Sequence, residues 1–344
     1  MQQTNSSPIT HFLIVVAAFI VVVAGMRAAE TILVPFLLSL FIAIICTPLL
    51  SMMKRYRIPT GISIGLIIVM MMLVGTFIGA IVGSSINSFR TDIPLYQERL
   101  LQLSYNIQEW LTSMGLVINQ QLWKELFNPS AALTIAGNTL NSFGNMMTDG
   151  FMILLTVMFI LAEEVNFIDK LRNASNSSKK TIDALMHFSS SINTYMAIKT
   201  LISLATGLLV MVALMMIGVD YPVLWGLLAF MLNFIPTFGS ILAAIPPVLL
   251  AIVQLGFEEA LITALLYVAV NIIVGSIIEP RVMGKGLDLS SLVVFLSLIF
   301  WGWVLGPVGM LLSVPLTIMV KIALENSPET HWIGVMLGSG VKHQ

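Results

Sequence analysis

Few side chains in this 344-residue chain could do chemistry, and those that could are conspicuous because their surroundings are apolar. Asn233, Asn271 and the run Glu279-Pro280-Arg281 interrupt the long hydrophobic stretches of the last third. An amide in hydrocarbon is costly unless it is hydrogen bonded. Ionisable residues inside membrane segments are rare and mark solute or ion pathways. Asn233 or Asn271 could donate and accept hydrogen bonds with a polar neutral solute. Either could equally bond an exposed carbonyl of a broken helix. Glu279 could carry a proton, with Arg281 holding it ionised in one state, or the two could form an interfacial ion pair that caps a helix.

The segments that must position these groups are themselves irregular. Residues 221–255 and 289–324 are each too long for one crossing, which takes roughly 20 residues. The first is interrupted by NFIPTFGS at 233–240 and the second by LGPVG at 305–309. Each break is followed by an apolar stretch ending in proline, from Gly239 to Pro246 and from Gly309 to Pro315, and the two stretches resemble a diverged repeat. Proline removes a backbone donor, and unpaired peptide groups cannot face lipid. Paired Gly/Pro-broken segments therefore point to a transporter site, with Pro236, Gly239, Pro246, Gly284, Gly306, Pro307, Gly309 and Pro315 as break or hinge residues. Two ordinary hairpins with tight turns at the membrane surface are the plain alternative.

Other chemistries lack their motifs. His11, His187, His331 and His343 have no metal-ligand spacing, and the lone Cys46 cannot form an intrachain disulfide. There is no phosphate-binding loop, no nucleophile–base motif, and no metal or cofactor is expected. A net charge of -1 gives no basic field for nucleic acid. The composition explains the rest: 58% hydrophobic and only 10% charged residues, with a mean hydropathy of +0.97, cannot coat a water-facing surface. The expectation is an all-α polytopic membrane protein that is not an enzyme.

About eight hydrophobic segments are read, at 12–26, 31–53, 61–84, 150–161, 201–217, 221–255, 260–278 and 289–324. The first is taken as an anchoring helix, since no Lys or Arg precedes it. Lys54, Arg55 and Arg57, then Lys170, Arg172, Lys179 and Lys180, mark loops on the cytoplasmic side. Both termini then face the cytoplasm, and the two broken segments enter from opposite sides as an inverted repeat. The domains follow: 1–84 membrane helices, 85–149 a small helical extracytoplasmic segment, 150–164 a membrane helix, 165–200 a cytoplasmic linker and amphipathic helix, 201–325 the transport unit with both broken hairpins, and 326–344 a cytoplasmic tail.

In the extracytoplasmic segment, Asp92 and Pro94 read as a helix start. Tyr96, Leu100, Leu103, Ile107, Trp110, Leu111 and Met114 follow at helical spacing as a packing face, within that segment or between subunits. Leu133, Ala136, Leu140, Phe143 and Met147 form a second stripe. Arg27 and Glu30 read as a helix-surface pair, and Lys321 as a snorkelling residue.

The run IEPRVMGKGLDLSSLVVFLSLIFWGWVLGPVGMLLSVPLTIMVKIAL at 278–324 resembles the C-terminal signature of the autoinducer-2 exporter family. WGLLAFMLNFIP at 225–236, LAAIPP at 242–247 and VPFLLSLFIAIICTPLL at 34–50 extend the likeness over most of the chain. One departure is Thr237-Phe238, where many relatives carry P-N-[IV]-G. The resemblance implies a bacterial inner-membrane exporter of autoinducer-2, a small polar furanone-derived quorum-sensing signal. It also implies re-entrant helical hairpins and a homo-oligomer, a pentamer, in which each protomer transports independently. Other members are sodium or lithium/proton antiporters, which would use Glu279 and Asp288. A non-transporting scaffold that recruits a partner through residues 85–149 is the alternative from another class.

Overall fold

The computed structural model describes residues 8–115, 150–174, 179–236, 238–283, 289–325 and 329–338. All regular structure among them is helical: α1 Pro8–Ala28, α2 Glu30–Arg55, α3 Thr60–Ser113, α4 Gly150–Ala174, α5 Lys179–Ile217, α6 Pro222–Leu232, α7 Gly239–Gln254, α8 Phe257–Val270, a π-helix Asn271–Ile278, α9 Glu279–Met283, α10 Ser291–Leu311, α11 Ser313–Glu325 and α12 His331–Leu337. Helices follow from the composition, because in hydrocarbon each backbone group must be satisfied within its own segment. Five stretches are long and apolar enough to cross a membrane, in α2, α3, α5, α10 and the run Phe257–Val282. α1, α4, α6 and α7 add shorter apolar helices. Ile14, Phe19, Leu73, Phe77 and Met216 are exposed, as lipid-facing side chains should be. The chain is a polytopic membrane protein.

α3 departs from expectation. A helix ending near residue 84 and another starting at Asp92 are fused into one rod of 54 residues with Pro94 inside it. A single proline forfeits one internal hydrogen bond, and helix-forming residues on both sides carry the rod through. At 1.5 Å per residue it is about 80 Å long, well over twice the roughly 30 Å hydrocarbon core. Only its apolar first half belongs in the bilayer. Of the stripe read from sequence, Tyr96 is buried, whereas Ile107, Trp110 and Met114 are exposed. The second stripe, at 133–147, lies outside the described residues.

The chain divides into two compact units. The larger, residues 44–286, contains α3 to α9. Its core takes Val82, Phe89 and Tyr96 from α3, Val210 and Leu214 from α5, and Trp225 from α6. α5 and α6 touch through glycine: a Cβ on Gly207 would lie 2.6 Å from the Gly226 carbonyl oxygen, and one on Gly226 would lie 2.7 Å from that of Gly207. Small residues at such a crossing let helix backbones approach closely.

Polar clasps lock one end of this unit. Tyr96 donates to Asp220 (2.9 Å), Tyr221 to Asp92 (2.5 Å), and Arg99 to the carbonyl of Gln254 (2.6 Å). The Gln254 amide accepts from the Asp220 backbone and donates to the Gly218 carbonyl. Tyr221 holds this turn at φ 59°, a left-handed conformation unusual for a bulky residue.

The smaller unit, residues 1–43 and 287–344, pairs α1 and the start of α2 with α10, α11 and α12. Phe19 stacks on Phe300, and the Arg27 guanidinium lies 4.6 Å from the centre of the Trp303 ring. Arg27 thus meets an aromatic face, where the sequence suggested Glu30. Lys321, expected to snorkel, is buried and 3.6 Å from Glu325, because Gly334 of α12 packs onto that turn of α11.

Candidate functional site

Both predicted breaks are present, and they are built alike. α6 has 11 residues, about 16 Å of helix or half the hydrocarbon thickness, before the chain turns at 233–238 into α7. The turn is tight because Gly239 sits so close to the Leu232 carbonyl that a Cβ there would overlap it, with Ile235 Cβ the next neighbour at 3.3 Å. In the second segment the helix breaks at Leu305 and Gly306, the latter at φ 63°, just before Pro307. There a Cβ on Gly309 would overlap the Trp301 carbonyl, with Leu305 Cβ next at 2.8 Å. The same glycine-on-carbonyl contact, followed by a contact four residues back, recurs at the start of both repeated stretches. Trp301 then donates to Thr317 (3.0 Å), tying the second hairpin's arms together.

The prolines divide by position. Pro236 lies in the first turn and its carbonyl accepts from Phe238. Pro246 lies with Pro247 inside the continuous helix α7, and neither can donate to the carbonyls of Leu242 and Ala243. Pro315 occupies the first turn of α11, where a missing N–H costs little. Gly284 and Thr237 lie outside the described residues, as does Asp288.

Asn233 and Asn271, from separate elements, meet at one cavity of about 10 Å³, enough for a single water molecule. Thr206 of α5, Ser240 and Ala243 of α7, and Tyr267 of α8 line it with them. The Asn233 amide donates to Ser203 (2.9 Å), itself wholly buried on α5, which leaves the amide oxygen to a further donor. Asn271 opens the π-helix, and its Oδ1 lies 3.1 Å from where a Cβ on Gly275 would stand. Short π stretches inside helices are rare and recur at functional sites.

The π-helix is followed directly by Glu279, whose carboxylate pairs with Lys199 of α5 at 2.5 Å. Lys199 is 3% exposed, deep in an apolar helix. Arg281, the partner suggested by its nearness in sequence, is exposed. Lys199 and Ser203 are one turn apart on α5, so ion pair and cavity occupy one helix face. Sequence reasoning missed Lys199, although a lysine within an apolar run was the available signal. Ser240 and Tyr267 gave no signal, since hydroxyls are common in helices. Among the described residues no group of three or more His, Cys, Asp or Glu could hold a metal ion.

The sequence profile described as "AI-2E family transporter" matches residues 12–329. The chain is 40% identical over 324 residues to the "AI-2 transport protein TqsA" of Escherichia coli K12, covering 94% of each. It is 39% identical over 343 residues to a "Putative transport protein" of Haemophilus influenzae, covering 97% of this chain and 98% of the relative. A third relative, "Putative transport protein YhhT" of Escherichia coli K12, is 33% identical over 330 residues, covering 96% and 95%.

Proposed function

The chain belongs to the AI-2E family of transporters, and from that premise we propose that it exports autoinducer-2 across the bacterial inner membrane, with both termini cytoplasmic. The pathway runs through the cavity of Asn233 and Asn271. The observation that carries this reading is the convergence of two amides, separated by 38 positions and held by different helices, on one buried space lined by uncharged groups. A few hydrogen-bonding groups in an apolar surround suit a neutral polar solute. At the volume of one water the cavity is closed to any sugar-sized molecule, so transport requires the α6–α7 hairpin to move away from α8. Alternating access follows from such motion at the Gly/Pro breaks. Assembly as a homo-oligomer, a pentamer by family likeness, accompanies this proposal.

Cation/proton antiport is the less favoured reading, because the Lys199 ammonium already occupies the Glu279 carboxylate. The test is release of preloaded autoinducer-2 from sealed proteoliposomes, beside protein-free liposomes and an unrelated sugar. Faster, saturable release of the signal alone supports export, and Asn233→Ala or Asn271→Ala should slow it. Release no faster than the controls, with sodium/proton exchange present, would replace export by antiport.

A further inference from the structure

We propose that Ser240 and Tyr267 set the specificity of this cavity by hydrogen bonding a hydroxyl of an uncharged, oxygen-rich solute; this rests on the solute pathway proposed above. Three buried hydroxyls on the same and neighbouring helices, those of Thr206, Thr263 and Ser203, have partners. Thr206 donates to the Ile202 carbonyl, Thr263 to that of Glu259, and Ser203 accepts from Asn233. Ser240 Oγ and Tyr267 OH differ: both are buried with no hydrogen-bond partner among the described residues. Both line the same cavity, one from each of two neighbouring helices, and Tyr267 is only 4% exposed. A buried hydroxyl without a partner is destabilising, so two of them facing one water-sized space mark a place for a polar atom that the protein itself does not supply.

The chemistry of the lining narrows the class of ligand. No charged side chain is among the lining residues, so an anion or cation there would be desolvated without compensation. Ser and Tyr hydroxyls each donate and accept, and an Asn carboxamide does both. The four groups together match a solute whose hydroxyl and ether or carbonyl oxygens alternate over a short span. A site that hydrogen bonds a hydroxyl also rejects the analogue without it, because its own groups are then left unpaired. Asn233 and Asn271 give polarity to the cavity; Ser240 and Tyr267 discriminate.

The test compares Tyr267→Phe and Ser240→Ala with the wild type in proteoliposomes loaded with autoinducer-2 or with an analogue carrying hydrogen in place of one hydroxyl. The expected result is release of autoinducer-2 slowed about tenfold in at least one variant, with release of the analogue changed less than twofold. The unfolding midpoint of Tyr267→Phe should match or exceed the wild type, since an unpaired hydroxyl has been removed. A lowered midpoint would mean that the hydroxyl bonds protein, and would overturn the inference. So would variants equal to the wild type on both solutes, or slowed equally on both. No release by the wild type would overturn the export reading and this inference with it; normal wild-type release with unaltered variants would overturn this inference alone.

Discussion

Replacing Glu279 by Gln should destabilise the larger unit because of what it leaves behind. Lys199 is 3% exposed, and its ammonium lies 2.5 Å from the Glu279 carboxylate. Glutamine keeps the shape and removes the charge, stranding the ammonium in an apolar helix face. Breaking a buried pair from one side costs about 3–5 kcal/mol, whereas replacing both partners with apolar groups is near neutral or stabilising. For a unit of this size 1 kcal/mol moves the unfolding midpoint by roughly 2–4 °C, so Glu279→Gln should fall by roughly 6–20 °C. Scanning fluorimetry of the detergent-purified protein measures this. The double variant K199M/E279M should return to the wild-type midpoint or above it. A single variant within about 1 °C of wild type, or a double variant as unstable as the single, would refute the claim that the stranded charge causes the loss.

Three further outcomes are expected. Burial, then the bond to Asp92, pushes the Tyr221 phenol up from 10 to about 12. The stability linked to this raised value is complete below pH 10 and is lost as pH rises through about 12; midpoints of wild type and Tyr221→Phe measured up to pH 12 should therefore converge. Gly275→Ala should displace the Asn271 amide, since the new Cβ would stand 3.1 Å from Oδ1, and, on the proposed export activity, should slow autoinducer-2 release while changing stability by less than about 1 kcal/mol. Gly239→Ala and Gly309→Ala should each cost about 3 kcal/mol or more in thermal unfolding, because each Cβ would overlap a backbone carbonyl that cannot swing aside.

Much of this was legible in the residues. Polar side chains in an apolar run are exceptional, so Asn233 and Asn271 stood out, and the structure brings both to one cavity. Breaks at 233–238 and 305–307 were legible because glycine and proline act on the backbone locally. What escaped depends on distance or on angle. Glu279 and Arg281 are neighbours in sequence but two apart on a helix, where side chains diverge. The true partner, Lys199, lies 80 positions away on a helix that only folding brings alongside. Pro246 reads as a break but sits within α7, where one proline's lost bond is tolerated by an otherwise intact helix. The π-helix has no compositional mark, and the fusion of α3 through Pro94 was hidden by the usual meaning of proline.

The π-helix also fixes a dihedral relation between two groups of different chemistry. Asn271 begins it and Glu279 follows its last residue, so the amide in the cavity and the carboxylate on Lys199 are phased by a winding that packs more residues into each turn than an α-helix does. One residue of register in an α-helix is about 100° of azimuth. A change of winding over these eight residues would swing the carboxylate around the helix axis while the amide stayed where it is. Rewinding this segment would thus carry the carboxylate around and along the axis relative to the amide, so the charge pair and the cavity share one stretch of backbone.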